Sequence, residues 1–197
     1  QHKHHIVFLT GAGISQESGI STFRDANGLW NNHKIEEVAS PEGFEKNPQL
    51  VLDFYNARRR QLDTVAPNDA HYLIAQLETK YNVTVITQNI DDLHERAGST
   101  NVLHLHGELR KSRSSKNHKL VYDCNEDIKL GDLASDGNQL RPHIVWFGEA
   151  VTAIENAIAL TQAADLFVIV GTSMVVHPAA SLLLAVPFDV QTVYIDT

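Results

Sequence analysis

Strand-like and helix-like patterns of hydrophobic and polar positions alternate along the 197-residue chain. Six short runs rich in β-branched residues predict strands. Several of these runs are apolar throughout, which is typical of parallel strands covered on both faces of a sheet. The predicted strands are Ile6–Thr10, Val83–Thr87, Val102–His106, Ile144–Phe147, Leu166–Gly171 and Thr192–Ile195.

Helical periodicity fills the intervals between the predicted strands. Asn68 is a favourable N-cap, and the residues after it place a hydrophobic stripe on one helix face. The stripe consists of Ala70, Leu73, Ile74, Leu77 and Tyr81. Further helices are predicted over Pro48–Leu62 and Ala153–Ala164. Strands that alternate with helices predict an α/β fold, a Rossmann-like doubly wound parallel sheet.

Two polar segments with weak periodicity interrupt this pattern, at about residues 26–47 and 110–140. They predict a small inserted part carried by the sheet domain. The large Rossmann-like part would then comprise about residues 1–25, 48–109 and 141–197 of a single domain.

Composition narrows the class of protein. The net charge of −8 argues against nucleic acid as a partner, because phosphate binding needs clustered cations and the one basic run is Arg58–Arg60. No run approaches the roughly 20 apolar residues of a membrane helix, and no signal-peptide pattern precedes the first strand. With the single cysteine Cys124, these features favour a cytoplasmic location. A monomer is expected.

Two small-residue turns follow predicted strands: Gly11-Ala12-Gly13-Ile14 and Gly171-Thr172-Ser173. Such turns allow backbone N–H groups to approach a diphosphate at the carboxyl ends of parallel strands. The third glycine of the usual dinucleotide motif is replaced by Gln16, so the first turn alone is equally compatible with a structural role. Two such turns together favour a nucleotide-binding crevice.

Five motifs, in order from Gly11 to Ser173, resemble the sirtuin family. The motifs are Gly11–Ser15 with Gly19-Ile20 and Phe23-Arg24-Asp25, Thr87–Asp91 with Leu93-His94, His106–Leu109, Arg141–His143 through Val145–Glu149, and Gly171–Ser173. The resemblance implies NAD as the cofactor and acylated lysine proteins or peptides as partners. It implies transfer of the acyl group to the NAD ribose, which releases nicotinamide, O-acyl-ADP-ribose and free lysine.

The resemblance also assigns a catalytic group. His106 would be the base that activates a ribose hydroxyl, acting with Asn89 and Asp91. An imidazole with a pKa near 6.5 suits that role at neutral pH. The motif selects His106 over the nearby His104, His94 and His118, although a histidine at a strand end is otherwise often structural.

The cofactor-binding residues implied by the resemblance come from the glycine turns and the central motif. They are Gly11, Ala12, Gly13, Ile14, Phe23, Arg24, Gln88, Asn89, Asp91, Gly171, Thr172 and Ser173. Other interpretations stay open: residues 88–91 could cap a helix that begins near Asp91, Phe23 could belong to the core, and Arg24 could form a surface ion pair.

The substrate residues implied by the resemblance form two groups. Val145, Trp146, Phe147 and Gly148 would pair with the main chain of the substrate peptide as an added strand. Tyr55 and Arg58 are three apart on one helix and therefore neighbours on its face. Together with Ala39 they match the acyl pocket of desuccinylases, which predicts succinyl or malonyl preference with acetyl possible. Arg58 could instead be a surface arginine.

The chain departs from the family at a structural zinc site, which most sirtuins build from two cysteine pairs. The first pair's positions are Ser114 and Asn117, and the second pair's stretch, 133–138, contains no cysteine. We therefore predict no metal. The chain also ends just after the predicted last strand, where family members continue with an adenine-contacting loop and a helix.

Two alternative functions remain open. NAD hydrolysis or ADP-ribosyl transfer would use the same base and pocket, although an acyl pocket formed by Tyr55 and Arg58 disfavours them. A non-catalytic NAD-binding module is disfavoured because His106, Asn89 and Asp91 are all present.

Overall fold

A computed structural model describes residues 3–22, 29–174 and 179–195. Eight strands are found in these ranges: β1 His5–Thr10, β2 Asn82–Thr87, β3 Val102–His104, β4 Gly107–Ser114, β5 Val121–Asp123, β6 Leu140–Ile144, β7 Leu166–Val170 and β8 Gln191–Ile195. The helices are α1 Ile35–Val38, α2 Pro41–Lys46, α3 Pro48–Leu62, α4 Asp69–Leu77, α5 Leu93–Arg96 and α6 Ile154–Gln162. Short 3₁₀ segments cover Ala12–Ser15 and Ala179–Ala185.

The main sheet contains five parallel strands in the order β3-β2-β1-β7-β8. Its successive residues point to opposite faces, and each face packs into a separate core. Val7 and Leu9 of β1 pack in a cluster with Ala157 of α6. Ile6 and Phe8 pack in another cluster with Ile74 of α4. Helices thus cover both faces, and the predicted Rossmann-like doubly wound sheet is confirmed.

The predicted helices follow their capping signals. α3 begins and ends at the predicted residues, and the Asn47 side chain accepts a hydrogen bond from Leu50 N at 3.1 Å. α4 begins after Asn68, whose side chain accepts from Ala70 N while its own N–H donates to His71 Nδ1 at 3.1 Å. These side chains satisfy backbone donors that no helical carbonyl can reach. No helix in the described ranges is long and apolar enough to cross a membrane.

A second sheet of three antiparallel strands, in the order β5-β4-β6, stands beside the parallel sheet. The predicted strand Ile144–Phe147 is wrong, because β6 ends at Ile144 and pairs with β4 instead of the parallel sheet. The chain turns directly afterwards, since Trp146 N donates to the Glu149 carboxylate at 2.8 Å and Glu149 N donates to Trp146 O. The apolar run there lines a cavity instead of forming a strand.

α3 holds this second sheet through two buried polar side chains. Arg59 Nε donates to Leu109 O of β4 at 2.7 Å, and Arg59 Nη1 donates to Asn56 Oδ1 at 2.8 Å. The Asn56 amide in turn bonds both the N–H and the C=O of Ile128. The segment that follows β5 is therefore attached to the helix that carries Tyr55 and Arg58.

Candidate active site

One cavity of about 600 Å³ opens at the carboxyl ends of β1, β2 and β7 and continues to α3 and to residues 145–148. It brings together predicted residues from all five sequence motifs and from the predicted acyl pocket. The predicted residues in its wall are Gly11, Ala12, Gly13, Ala39, Tyr55, Arg58, Gln88, Asn89, Asp91, His106, Val145, Trp146, Phe147, Gly148, Gly171, Thr172 and Ser173. Ile14 differs, because its side chain packs in the core. Phe23 and Arg24 lie outside the described residues.

The glycines of the first turn allow two backbone turns to pack against each other. Gly11 N donates to Val170 O, and Gly13 N donates to Gly171 O at 2.8 Å. A Cβ added to Gly13 would lie only 2.8 Å from the Gly171 backbone, and Gly171 itself has a φ of +66°. These two N–H groups are thus used within the protein, and the prediction that the glycine amides face a ligand does not hold for them.

Two amide side chains connect the end of β2 to these turns. Asn89 Nδ2 donates to Gly11 O at 3.0 Å, and Gln88 Nε2 donates to Thr172 Oγ1 at 3.0 Å. Both residues line the cavity. The cavity floor is therefore a continuous polar network across three strand ends.

Asp91 is a buried carboxylate in this network. Its Oδ2 accepts from Ser15 Oγ at 2.9 Å, and its Oδ1 accepts from Leu93 N at 3.1 Å at the start of α5. Burial raises the pKa of Asp91, and these two hydrogen bonds oppose the rise. Asp91 thus lines the cavity and also accepts from the first residue of α5, although the N-cap of that helix is Asp92. Ser15 is a cavity residue that the sequence pattern did not single out.

His106 lies just beyond β3 because that strand ends at His104, two residues earlier than predicted. Its Nδ1 is 3.2 Å from the Gln88 carbonyl oxygen, and no described protein group bonds its Nε2. Burial lowers the pKa of His106, which the Gln88 hydrogen bond partly offsets. A neutral ring with a lone pair at Nε2 is the form that accepts a proton.

The rings of the two neighbouring histidines form other hydrogen bonds. His104 uses Nδ1 on Asn89 O and Nε2 on Glu95 at 2.5 Å. His94 Nε2 is 2.9 Å from the hydroxyl of Thr10, the last residue of β1. Neither ring is in the cavity wall. The geometry thus distinguishes His106 from His94 and His104.

Residues 11–178 match the family model described as the Sir2 family. The chain is 60% identical over 192 residues to an NAD-dependent protein deacylase of Helicobacter pylori, across 98% of this chain and 84% of that protein. This chain belongs to the Sir2 family. A deacylase of Bacteroides thetaiotaomicron is 56% identical over 198 residues, across 98% of this chain and 85% of that protein.

Solved structures of Sir2 family members share the fold. A Sir2 homolog–NAD complex superposes with a TM-score of 0.85 at 42% identity, covering 98% of this chain and 77% of that one. A Sir2–p53 peptide–NAD⁺ complex has a TM-score of 0.81 at 35% identity, covering 98% and 82%. NAD is therefore the cofactor of this Sir2 enzyme. The donors and acceptors of Gln88, Asn89 and Asp91 suit its hydroxyl and amide groups.

The end of the cavity that contains the predicted acyl-pocket residues is aromatic. Tyr55 is fully buried, and its hydroxyl oxygen accepts from Trp146 Nε1 at 3.0 Å. The Arg58 guanidinium lies over the Phe54 ring at 5.1 Å, and its buried Nε has no partner in the described structure. Ala39 adds a small side chain to the wall. With its amide oxygen turned toward them, Asn31 accepts from Trp30 Nε1 and from Arg58 Nη1 at 3.2 Å.

Asn31 and Trp30 were not predicted as site residues. They lie in the polar segment that the sequence assigned to an insertion, and Asn31 has a φ of +46°, a conformation asparagine adopts more readily than most residues. An Asn at a turn is the only signal that the sequence offers.

The family's structural zinc does not fit the residues that occupy its place. Ser114 Oγ donates to Asp136 at 2.7 Å and accepts from Lys116 N and Asn117 N. A hydroxyl, an amide and one carboxylate do not replace four thiolates. The predicted absence of zinc remains a prediction, which elemental analysis would contradict by finding one zinc per chain.

One group of metal-ligating side chains does occur in the described ranges. Glu95, His104 and Glu108 hold their ligating atoms within 4.8 Å of one another. Hydrogen bonding accounts for the group without an ion, since His104 bonds Glu95 and Lys111 Nζ lies 2.9 Å from Glu108.

Proposed function

We propose that this NAD-dependent protein deacylase prefers lysine acyl groups that end in a carboxylate, succinyl or malonyl, over acetyl. The observation that carries the proposal is the Arg58 guanidinium in an aromatic pocket without a carboxylate partner. No Asp or Glu oxygen of the described residues lies within 4.0 Å of it. Its neighbour Arg60, in contrast, pairs with Asp127 at 2.5 Å.

The unpaired charge has an energetic cost that a ligand can offset. Burial lowers the pKa of Arg58, which reports that the cation is partly desolvated. A carboxylate placed beside the guanidinium would form charge-assisted hydrogen bonds, and the low dielectric of the pocket would strengthen them. An acetyl group ends in a methyl and leaves the cation unpaired.

The proton chemistry supports deacylation by the same cavity. When bound, NAD supplies the ribose that receives the acyl group. Gln88, Asn89 and Asp91 would hold it, together with the turns at Gly11 and Gly171. His106 would accept the hydroxyl proton at Nε2, while its Nδ1 bond to Gln88 fixes the ring orientation.

Residues 145–148 would contact the peptide main chain, but they offer fewer backbone hydrogen-bonding groups than an exposed strand edge does. Val145 N already donates to His106 O, and Phe147 N donates to Ala39 O, both at 2.9 Å. A peptide added as a strand would then rely on carbonyl oxygens and on Gly148. The Phe147 ring is half exposed and offers an apolar surface.

The test compares acetyl-, succinyl- and malonyl-lysine peptides of one sequence in the presence of NAD, with nicotinamide and acyl-ADP-ribose as readouts. Arg58→Met should reduce kcat/KM for the succinyl peptide by roughly 100-fold, the value of a hydrogen-bonded charge pair, and for the acetyl peptide far less. Arg60→Met is the matched control on the same helix, and it should leave the ratio of the two activities unchanged.

The outcomes separate the proposal from its alternatives. Equal losses for both peptides in Arg58→Met would exclude the carboxylate contact. Nicotinamide release that does not depend on peptide would indicate NAD hydrolysis. No nicotinamide release under any condition would indicate a binding module.

A further inference from the structure

The indole N–H of Trp146 donates to the Tyr55 hydroxyl oxygen at 3.0 Å, deep in the wall of the acyl pocket. We infer that Trp146 is a positioning residue that makes Tyr55 donate its hydroxyl proton to the acyl carboxylate. This inference rests on the proposed function, since it explains how the pocket would select a carboxylate.

The inference follows from the hydrogen-bonding capacities of the two side chains. An indole N–H can only donate, whereas a phenol hydroxyl both donates and accepts. Because the Tyr55 oxygen accepts from Trp146, its proton must point in another direction. None of the described residues accepts that proton, and Tyr55 lines the cavity.

Tyr55 and Arg58, which both line the cavity, thus carry buried donors. The Tyr55 O–H and the Arg58 Nε–H both lack a protein acceptor in the described structure. A carboxylate only accepts, with two oxygens, and can satisfy both donors at once. Without the Trp146 bond, the Tyr55 hydroxyl could also turn its lone pair toward the ligand, which would repel a carboxylate.

Trp146 is itself fixed by an ion pair. The Arg141 guanidinium stacks on the indole ring at 3.5 Å from the centroid, and both of its terminal nitrogens donate to Glu149 at 2.9 Å. Glu149 also accepts from Trp146 N at 2.8 Å. The indole plane and its backbone are thus held from two sides, so the N–H keeps its direction toward Tyr55.

A packing role for Trp146 is the competing explanation. Its ring lies 6.2 Å from the Tyr55 ring and 5.4 Å from the Phe44 ring, in a common cluster. Packing would affect every acyl substrate alike. If Trp146 directs the Tyr55 proton, its replacement would affect substrates that end in a carboxylate more than those that end in a methyl.

A double-mutant cycle separates the two roles. Trp146→Phe keeps an aromatic ring but removes the N–H, and Tyr55→Phe removes the hydroxyl. Relative to the acetyl peptide, Tyr55→Phe should lower kcat/KM for the succinyl peptide by about tenfold, and Trp146→Phe by about threefold to tenfold, mainly through KM. In the Tyr55→Phe background, Trp146→Phe should change both substrates equally. An unchanged succinyl-to-acetyl ratio in Trp146→Phe, or a ratio that still changes without the hydroxyl, would overturn the inference.

A second measurement does not depend on turnover. The chain has two tryptophans, so ¹H–¹⁵N spectra should contain two indole resonances. Tyr55→Phe should shift the Trp146 resonance, identified by its loss in Trp146→Phe, and speed its exchange with solvent. Tyr72→Phe, which removes an exposed hydroxyl on α4, should move neither.

The two measurements also distinguish failure of the inference from failure of the proposed function. A wild-type enzyme with no succinyl or malonyl preference would contradict the proposed function. An indole resonance that ignores Tyr55→Phe would contradict the inference whatever the acyl preference is.

Discussion

His106 Nδ1 lies 3.2 Å from the backbone carbonyl oxygen of Gln88, and this contact determines which nitrogen can act as a base. A carbonyl oxygen only accepts, so Nδ1 carries the proton of the neutral ring. Nε2 then presents its lone pair in the cavity that Asn89 and Asp91 also line. The segment that holds the amide and carboxylate groups thus also sets the histidine tautomer.

Replacement of His106 by Asn should remove the base while keeping a polar side chain of smaller size. We expect kcat/KM for an acyl-lysine peptide to fall by about 100-fold to 10,000-fold, the usual contribution of general base catalysis. NAD binding, measured by calorimetry, should change by only a few fold. His118→Asn, at an exposed histidine outside the cavity, is the control. Near-normal turnover in His106→Asn would assign the base to another residue.

The pH dependence of turnover should follow the titration of His106. Burial lowers the pKa of this ring, and the Gln88 hydrogen bond only partly raises it again. Because only the neutral ring accepts a proton, a lowered pKa moves the acidic limb of the profile to lower pH. Plots of kcat/KM against pH should therefore rise through a midpoint below about 6.5. A midpoint above about 7 would contradict this environment for the histidine.

Stability should decrease in mild acid because two buried histidines resist protonation. Burial lowers the pKa of His71 to about 4 and that of His94 to about 3, and their rings are 5.0 Å apart. The unfolded chain takes up protons near pH 6.5, so stability falls as the pH drops from about 6.5 toward 4. Proton linkage gives a loss of roughly 2 kcal/mol per ring by about pH 5.

Urea unfolding at about pH 7.5 and pH 5 measures this loss. His94→Gln should reduce the difference between the two free energies of unfolding by roughly 2 kcal/mol. His4→Gln, at a side chain that is 81% exposed, should not reduce it. A free energy of unfolding that stays constant over this interval would show that the two rings are not buried as neutral groups.

The Ser114 hydroxyl should stabilise the second sheet. Ser114→Ala removes one donated and two accepted hydrogen bonds and leaves Lys116 N and Asn117 N without this acceptor. We expect the free energy of unfolding to fall by about 2 kcal/mol. Ser99→Ala is a matched control, since the buried Ser99 hydroxyl has no partner among the described residues and its loss should cost less than about 0.5 kcal/mol. Equal effects would show that the Ser114 bonds do not stabilise the fold.

Local signals in the sequence were sufficient for the parallel sheet and its helices. Asn47 and Pro48 mark the start of α3, Asn68 marks the start of α4, and continuous apolar runs mark the buried strands. The second sheet was missed because β4 reads Gly-Glu-Leu-Arg-Lys-Ser-Arg-Ser, a charged segment without clear alternation. Its strands are defined by long-range pairing with Leu140–Ile144, which no local pattern records.

The sequence predicts those parts of the candidate site that belong to recognised motifs. It predicts less well the parts that depend on contacts between residues distant in the chain. The glycine turns, residues 88–91 and His106 meet in one cavity as expected. Asn31 and Ser15 were missed because their roles depend on partners distant in the chain, Arg58 and Asp91. The first glycine turn shows the opposite problem. The motif lies where it was predicted, but the N–H groups of Gly11 and Gly13 donate to protein carbonyl oxygens.

The central position of β1 in the parallel sheet affects how the chain folds during its synthesis on the ribosome. Val7 pairs on one side with Thr84 and on the other with Phe167, so one edge of β1 stays uncovered until β7 has been synthesised. Gly13 likewise meets Gly171 only at that stage. A nascent chain that stops short of β7 thus exposes an unpaired strand edge to chaperones and cannot yet form the cofactor floor.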